Sequence, residues 1–547
     1  MDCLFVVLNL LFLSLISLGI LLPDLLLGYI TKMLTCRIPL TTFLGVIGFS
    51  GALSFVRNRW VLKVVLGLII ITQIIQVNHW AYFGAPIHSQ DISKVFFELD
   101  EIFQTGISLS HSLWPVWLTL VVSTSLIIVA PLYTKDRLKY SYTGILIFLI
   151  LAITPVLSYI KGPSFFYTKP TYSTIYNTVR AFSDWLVRLD HKDKDFAYKP
   201  YTITYGHSKV KNIVLIVGES LSSRYMHLYG YKENNTPFLD SLKSMPNFIF
   251  AKGISSSVST RACLQTFFNS FHNPGFLDLI RKKEANLFRL AKHQGYKTFV
   301  LSGQNEKLFH DTGTEFVDIF ASEKDMRDAL NEKGDEALLD KLSMLELGEK
   351  NFIVIHLRHV HSPFNAYEKY RPELAKSIDH KNRTSQSQQE YSNAIAYHDY
   401  WVKQCILTII KKMIIDETIY DDRIKPHIQD DTVILFTSDH GQLLGERGLF
   451  GHNQMQPEVA DVPIWILAPK PALISSLKNQ PIISHYDLAK YIATLFGATI
   501  TNPNENSHLQ YVHGSELYAN YEFMPWKIEK GQAIFLENQW VDEKKSA

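Results

Sequence analysis

Apolar runs approaching or reaching about 20 residues recur through the first 160 positions, and nothing else in the chain constrains its fold as strongly. A helix needs about that length to cross roughly 30 Å of hydrocarbon. Charged residues are about one in ten up to position 160 and nearly one in four beyond it. The pattern predicts five spans, near 4–30 (or ending at Pro23), 38–56, 60–77, 113–133 and 140–160. The first run lacks a basic leader, is too long, and has no small-x-small site after it, so it is expected to be retained as an anchor. Arg57, Arg59 and Lys63 mark one short loop; Lys135, Arg137 and Lys139 mark another. Five spans with an internal N-terminus put both basic loops in the cytoplasm and everything after Tyr159 outside it.

The expected division is a transmembrane domain at 1–160, a linker at 161–204 and an α/β domain at 205–547. A net charge of +2 argues against a nucleic-acid binder, and 47% hydrophobic residues exclude a disordered chain. Cys3 and Cys36 lie in or beside the apolar runs, which leaves Cys263 and Cys405; no metal-binding cysteine pair is present. The loop 78–112 is expected on the outer face, with a turn at Tyr82–Pro86 and an amphipathic helix from Asp91 to Phe103 carrying Glu98, Asp100 and Glu101. That helix reads equally as a lid over a lipid headgroup, with Glu98 a substrate contact, or as a solvated interfacial helix. After a Pro/Tyr-rich stretch at 161–173, Ile175, Val179, Phe182, Trp185, Leu186 and Leu189 recur at helical spacing. Such a stripe packs on the soluble domain, the favoured reading, or lies in the membrane interface.

Short runs rich in Val and Ile follow: Asn212–Val217, Lys297–Leu301, Phe352–Ile355, Thr432–Phe436 and Pro463–Leu467. They alternate with helical stretches such as 284–294 and 386–412, which predicts a mostly parallel sheet covered on both faces. Ligand sites in such folds lie beyond the carboxyl ends of the strands. There the sequence places Gly218-Glu219-Ser220, then His356 and His361-Ser362-Pro363, then Ser438-Asp439-His440-Gly441, and His452 downstream. Carboxylates and imidazoles converging at strand ends are a ligand set suited to zinc.

The runs Asn212-Ile-Val-Leu-Ile-Val-Gly-Glu-Ser, Arg224-Tyr-Met-His-Leu-Tyr-Gly-Tyr and Thr236-Pro-Phe-Leu-Asp resemble the phosphoethanolamine transferases of the sulfatase-like, alkaline phosphatase superfamily. That group includes lipid A modifying and mobile colistin-resistance enzymes. The resemblance implies a helical membrane domain of about five spans followed by a sulfatase-like α/β domain facing the periplasm. It assigns Glu219, Asp439 and His440 to the metal, and Thr260 as a nucleophile that also contacts it. It gives His361 and His452 the phosphoryl group or a second zinc, with His356 and Lys307 as weaker substrate contacts. Ser220 is the competing nucleophile. The family's disulfide around the nucleophile loop has Ser256 and Thr266 at its two positions here, so that staple is absent. The segment needed for a formylglycine nucleophile is missing around Cys263, which argues against sulfatase activity proper.

The expectation is zinc-dependent transfer of phosphoethanolamine from phosphatidylethanolamine, through an ester on Thr260, to an envelope acceptor such as lipid A or lipopolysaccharide core. A multi-pass inner-membrane location goes with it. The alternatives are a phosphoglycerol transferase of the lipoteichoic-acid-synthase type, usually manganese-dependent, and an inactive envelope binding protein.

Overall fold

The computed structural model describes residues 2–30, 46–51, 53, 56, 59–83, 85–89, 91–92, 114–129, 173–190, 198–376, 383–413, 431–506, 508–517 and 521–541. The chain separates into two compact units, Met1–Lys192 with Glu446–Phe450, and Asp193–Gly445 with Gly451–Ala547.

The first unit is built from apolar helices: α1 (Asp2–Ile30), α2 (Arg59–Phe83), α3 (Trp114–Val129) and the amphipathic α4 (Thr174–Asp190). Among the described residues one helix, Trp60–Phe83, is long and apolar enough to cross a membrane, and Leu11–Leu25 and Val116–Val129 are shorter apolar helices. The expected second span is described only in part, and the fifth lies outside the described residues, so five spans are not established. The expected loop from 78 begins later, because α2 continues to Phe83. Most of the helix expected at 91–103, including Glu98, lies outside the described residues.

Polar side chains inside this unit sit where the backbone needs them. Pro23 lies within α1 and has no N–H, so the carbonyl of Gly19 loses its helical donor. Gln73 Nε2 on α2 approaches Gly19 O at 3.3 Å and donates to Ile20 O at 2.9 Å. The Ser123 hydroxyl on α3 also reaches Gly19 O and lies 3.1 Å from Gln73 Oε1. Gly19 itself permits the approach, since a Cβ there would stand 2.8 Å from Ile127 Cγ1. Gln73 and Ser123 are therefore fully buried in an apolar bundle yet satisfied.

The linker helix α4 belongs to the first unit. Phe182 and Leu186 are 39% and 52% exposed, whereas Asn177, Thr178, Ser183 and Asp184 are buried. These polar side chains are packed alongside Ala181, Ile175 and Trp185, while Phe182 and Leu186 of the apolar stripe point to the surroundings. An amphipathic period shows that a helix has two faces but not which medium each will meet.

The second unit centres on an eight-stranded sheet, made of β1 (Asn212–Gly218), β2 (Phe248–Ile254), β3 (Lys297–Ser302), β4 (Ile319–Ala321), β5 (Asn351–His356), β6 (Thr432–Ser438), β7 (Asp461–Leu467) and β8 (Ile482–Ser484). Their order is β8-β2-β7-β6-β1-β5-β3-β4. Only β7 runs against the rest, pairing antiparallel with both β2 and β6. Both faces are buried: Ile213, Leu215 and Val217 join one core, Val214 and Ile216 the other. This is why the strands read as continuous apolar runs rather than as alternation. A four-stranded antiparallel sheet lies C-terminal, spanning Gln510–Trp540, and the apolar-run reading did not anticipate it.

Gln73→Leu should lower the thermal stability of the detergent-solubilised protein by about 0.5–2 kcal/mol, because the carbonyls beside Pro23 lose a donor. Adding Pro23→Ala restores the helix's own N–H, so the loss should shrink; an equal loss in both backgrounds would show that the glutamine serves another purpose.

Candidate active site

β1 and β6 are adjacent and parallel, with Gly218 opposite Ser438. Glu219 and Asp439 therefore leave neighbouring strand ends at the same level. Both side chains are fully buried, as is that of His440. Their donor atoms, with one nitrogen from His440, all lie within 4.8 Å of one another; among the described residues this is the cluster able to hold a metal ion. His440 Nε2 is 3.6 Å from Glu219 Oε1 and 3.3 Å from Asp439 Oδ2.

Each ligand is oriented by a second set of bonds. Asp439 Oδ1 accepts the backbone N–H groups of Ser220 at 2.9 Å and His440 at 2.7 Å. Asp439 Oδ2 is buried and has no hydrogen-bond partner among the described residues. His440 Nδ1 donates to Gly441 O at 2.9 Å, which leaves Nε2 deprotonated toward the carboxylates. Gly441 is required at that turn, because a Cβ would meet Asp461 O at 2.7 Å and Glu458 O at 2.8 Å. Glu219 accepts from Ser220 Oγ at 2.8 Å and from Gln304 Nε2 at 2.7 Å.

The electrostatics of the pair call for a cation. Burial alone raises the Glu219 pKa, but the imidazoles of His440, His361, His452 and His356 outweigh it and hold the carboxyl below its usual range. Asp439 moves the other way, pushed well above its ordinary value by burial and then by the Glu219 charge. Two facing carboxylates cannot both ionise in a dry site without added positive charge. The unsatisfied Asp439 oxygen, the lone pair of His440 and the mixed oxygen and nitrogen donors fit a zinc ion.

Thr260 is the first residue of α5 (Thr260–Phe268), after Ser259 in extended conformation at the N-cap. Its Oγ1 lies 3.4 and 3.2 Å from the Glu219 oxygens and 3.2 Å from His440 Nε2. The helix N-terminus adds a favourable field for negative charge on that oxygen. Thr260 is partly exposed, whereas Ser220 is buried and its hydroxyl is committed to Glu219. Ser220 also adopts a left-handed backbone, φ 57°, and its carbonyl accepts a 2.6 Å bond from the Tyr391 hydroxyl. The turn therefore orients Glu219 rather than presenting its own hydroxyl to the site.

Two further histidines stand beside the cluster. The His452 ring centroid is 4.3 Å from that of His440 and 5.9 Å from that of His361. His361 Nδ1 donates to Ser362 O at 2.7 Å, and His452 Nδ1 donates to Gln442 Oε1 at 3.2 Å, so Nε2 is the unprotonated nitrogen of each neutral ring. His356 does not join them. It is fully buried at the end of β5, bonded to Ser302 Oγ at 3.1 Å and close to Gln304 Nε2 at 3.3 Å. Burial lowers its pKa to about 4, and it supports the amide that holds Glu219 instead of meeting substrate. Lys307 is exposed in a 3-10 turn, Glu306–Phe309. Gln265 of α5 donates to the carbonyl of His310 just after that turn, at 3.0 Å.

Cys263 and Cys405 are free and buried. At the two positions where the sequence resemblance implies a missing disulfide, the Thr266 hydroxyl donates to Ser256 Oγ at 2.7 Å. Gln304 and Tyr391 were not singled out from sequence. A glutamine three residues before Lys307 and a helix tyrosine carry no local signature of their bonds to a site assembled from other strands.

Comparison with known proteins agrees with this geometry. The sulfatase family model matches residues 211–420, within the second unit. The chain is similar to a Kdo(2)-lipid A phosphoethanolamine 7''-transferase of Salmonella typhimurium, 25% identical over 332 residues, covering 55% of this chain and 54% of that protein. It is also similar to the phosphoethanolamine transferase EptC of Escherichia coli, 26% identical over 216 residues and 36% of each chain. The matches thus span about half or less of the length of these curated relatives. The integral membrane lipooligosaccharide phosphoethanolamine transferase A of Neisseria meningitidis shares the fold with a TM-score of 0.60 at 19% identity, covering 89% of this chain and 95% of that one.

Glu219→Gln, Asp439→Asn and His440→Ala should each lower zinc affinity by at least about 100-fold. His361→Ala and His452→Ala should keep the tightly bound ion. Metal content after dialysis distinguishes the groups, and an empty site in His452→Ala would show that the ligand set is drawn wrongly.

Proposed function

We propose that the chain is a zinc-dependent transferase of the cell envelope that moves phosphoethanolamine from phosphatidylethanolamine to an acceptor such as lipid A or lipopolysaccharide core. One observation carries the reading: the partly exposed Thr260 hydroxyl within 3.4 Å of Glu219 and 3.2 Å of His440, at the N-terminus of a helix. The similarity to phosphoethanolamine transferases supplies the group transferred. In this reading residues 1–160 anchor the protein in the inner membrane, 161–204 link, and 205–547 work in the periplasm.

Glu219, Asp439, His440 and Thr260 would hold the ion. When bound, zinc supplies the positive charge that makes a threonine alkoxide accessible near neutral pH and offsets charge on the phosphoryl group. Thr260 Oγ1 attacks phosphorus, a new P–O bond forms, and the bond from phosphorus to the diacylglycerol oxygen breaks. The Thr260 hydroxyl proton passes to the unprotonated Nε2 of His361 or His452, the two rings beside the cluster, and from there to the departing alkoxide. In the second half, one of them removes the proton of the acceptor hydroxyl or phosphate, whose oxygen displaces Thr260 from phosphorus, and that proton returns to Thr260 Oγ1. Lys307, in the turn just before the His310 carbonyl that Gln265 of α5 bonds, and Glu98 are proposed as further substrate contacts.

Donor vesicles without acceptor should leave a phosphoethanolamine ester on Thr260 and release diacylglycerol. Thr260→Ala should bind zinc but lose both signals by at least about 10³-fold, and Thr260→Ser should keep part of them. Peptide mapping decides the residue; an adduct on Ser220 or Ser259, or undiminished diacylglycerol release by Thr260→Ala, would refute the assignment. Phosphatidylglycerol vesicles in a parallel arm test the donor, since a phosphoglycerol adduct would favour the lipoteichoic-acid-synthase type of reaction.

A further inference from the structure

The nucleophile and the metal cluster come from separate parts of the second unit. Thr260 follows the loop 255–259 after β2, while Asp439 and His440 follow β6. Between them lies His485, the first residue of α6 (His485–Phe496) and completely buried. Its Nδ1 is 3.2 Å from the backbone nitrogen of Ser256 and 3.3 Å from Cys263 Sγ. A backbone N–H can only donate, so Nδ1 is the acceptor and the ring proton resides on Nε2. Nε2 then donates to Thr437 Oγ1 at 2.9 Å, two residues before Asp439. One face of the ring packs near Phe267 of α5, with centroids 4.7 Å apart.

Both ends of this bridge are themselves tied down. Ser256 Oγ accepts from Thr266 Oγ1 at 2.7 Å, and Thr266 Oγ1 also lies 2.7 Å from Ala262 O, so the loop is fastened to the first turns of α5. Cys263 N donates to Ser259 O at 2.8 Å, closing the first turn behind Thr260. Thr437 belongs to the strand whose register with β1 sets Asp439 beside Glu219. Burial keeps the imidazole neutral, with its pKa lowered to about 3.

We propose that His485 is a positioning residue for the transfer reaction, bridging the nucleophile loop to β6 and so setting the separation between Thr260 and the Glu219–Asp439–His440 cluster. The proposal rests on the transferase reading for its activity arm and on coordination alone for its second arm. A misplacement of about 1 Å at a reacting atom costs on the order of 100-fold in rate. His485→Phe keeps the ring volume and removes both hydrogen bonds; Thr437→Val is close to isosteric and cuts the bridge at its far end.

With the full-length protein and phosphatidylethanolamine vesicles, each variant should lower kcat for diacylglycerol release by about 100-fold, with KM and zinc content within about 3-fold of wild type. The double variant should be no worse than either single one, because both break one bridge. In the second arm, cobalt(II) replaces zinc and the visible absorption band is compared with wild type and Thr260→Ala. His485→Phe and Thr437→Val should both shift toward the Thr260→Ala spectrum. Wild-type kcat in a folded variant, loss of rate that follows loss of metal, additive effects, or an unshifted cobalt spectrum would each overturn the proposal. If wild-type protein releases no diacylglycerol, the transferase reading fails and the cobalt comparison alone decides the role of His485.

Discussion

The second unit is organised around the repulsion between two buried carboxylates. Adjacent parallel strands deliver Glu219 and Asp439 to one level, where neither has water to screen it. Glu219 is held charged by the imidazoles around it, and Asp439 is pushed toward its neutral form by that charge. Removing either partner would ease the conflict, yet the surroundings reinforce it. Ser220 engages both residues, Gln304 fixes an oxygen of Glu219, and the Gly441 turn aims His440 at the gap. An arrangement that costs stability in the bare protein is one that a dication would convert into a favourable interaction.

The same constraint sorts the hydroxyls. Ser220, Ser438, Ser259 and Thr260 are among the hydroxyl-bearing side chains near the cluster. The Ser220 hydroxyl is committed to Glu219, that of Ser438 to the His440 carbonyl at 3.0 Å, and that of Ser259 to Ser515 O at 3.1 Å. Thr260 alone among them is partly exposed while touching the metal-ligand atoms. Its selection follows from what the other three are already doing.

Much of this was legible in the sequence because the informative residues are local to strand ends. A run such as Asn212–Val217 ending in Gly-Glu-Ser announces both the buried strand and the ligand after it. The supports were not legible. His485 lies 229 residues from Ser256, and Gln304 lies 85 from Glu219, so only the folded topology brings them together. His356 shows the converse failure, since a strand-end histidine is visible in sequence but the direction of its side chain is not. Likewise the period of α4 marked an amphipathic helix, while the burial of Asn177 and Asp184 on its packed face depends on neighbours that the period cannot report. Pro23 reads as a helix terminator in isolation; Gln73 and Ser123, far along the chain, are what let α1 continue through it.

The central claim is that a zinc ion resides between the two carboxylates and touches the nucleophile. Anomalous diffraction at the zinc edge from crystals of the zinc-loaded protein tests it most directly. The account predicts one strong peak within about 2.0–2.2 Å of Glu219, Asp439, His440 and Thr260 Oγ1. A principal peak ligated by His361 and His452 instead, with Glu219 and Asp439 sharing a proton, would contradict it.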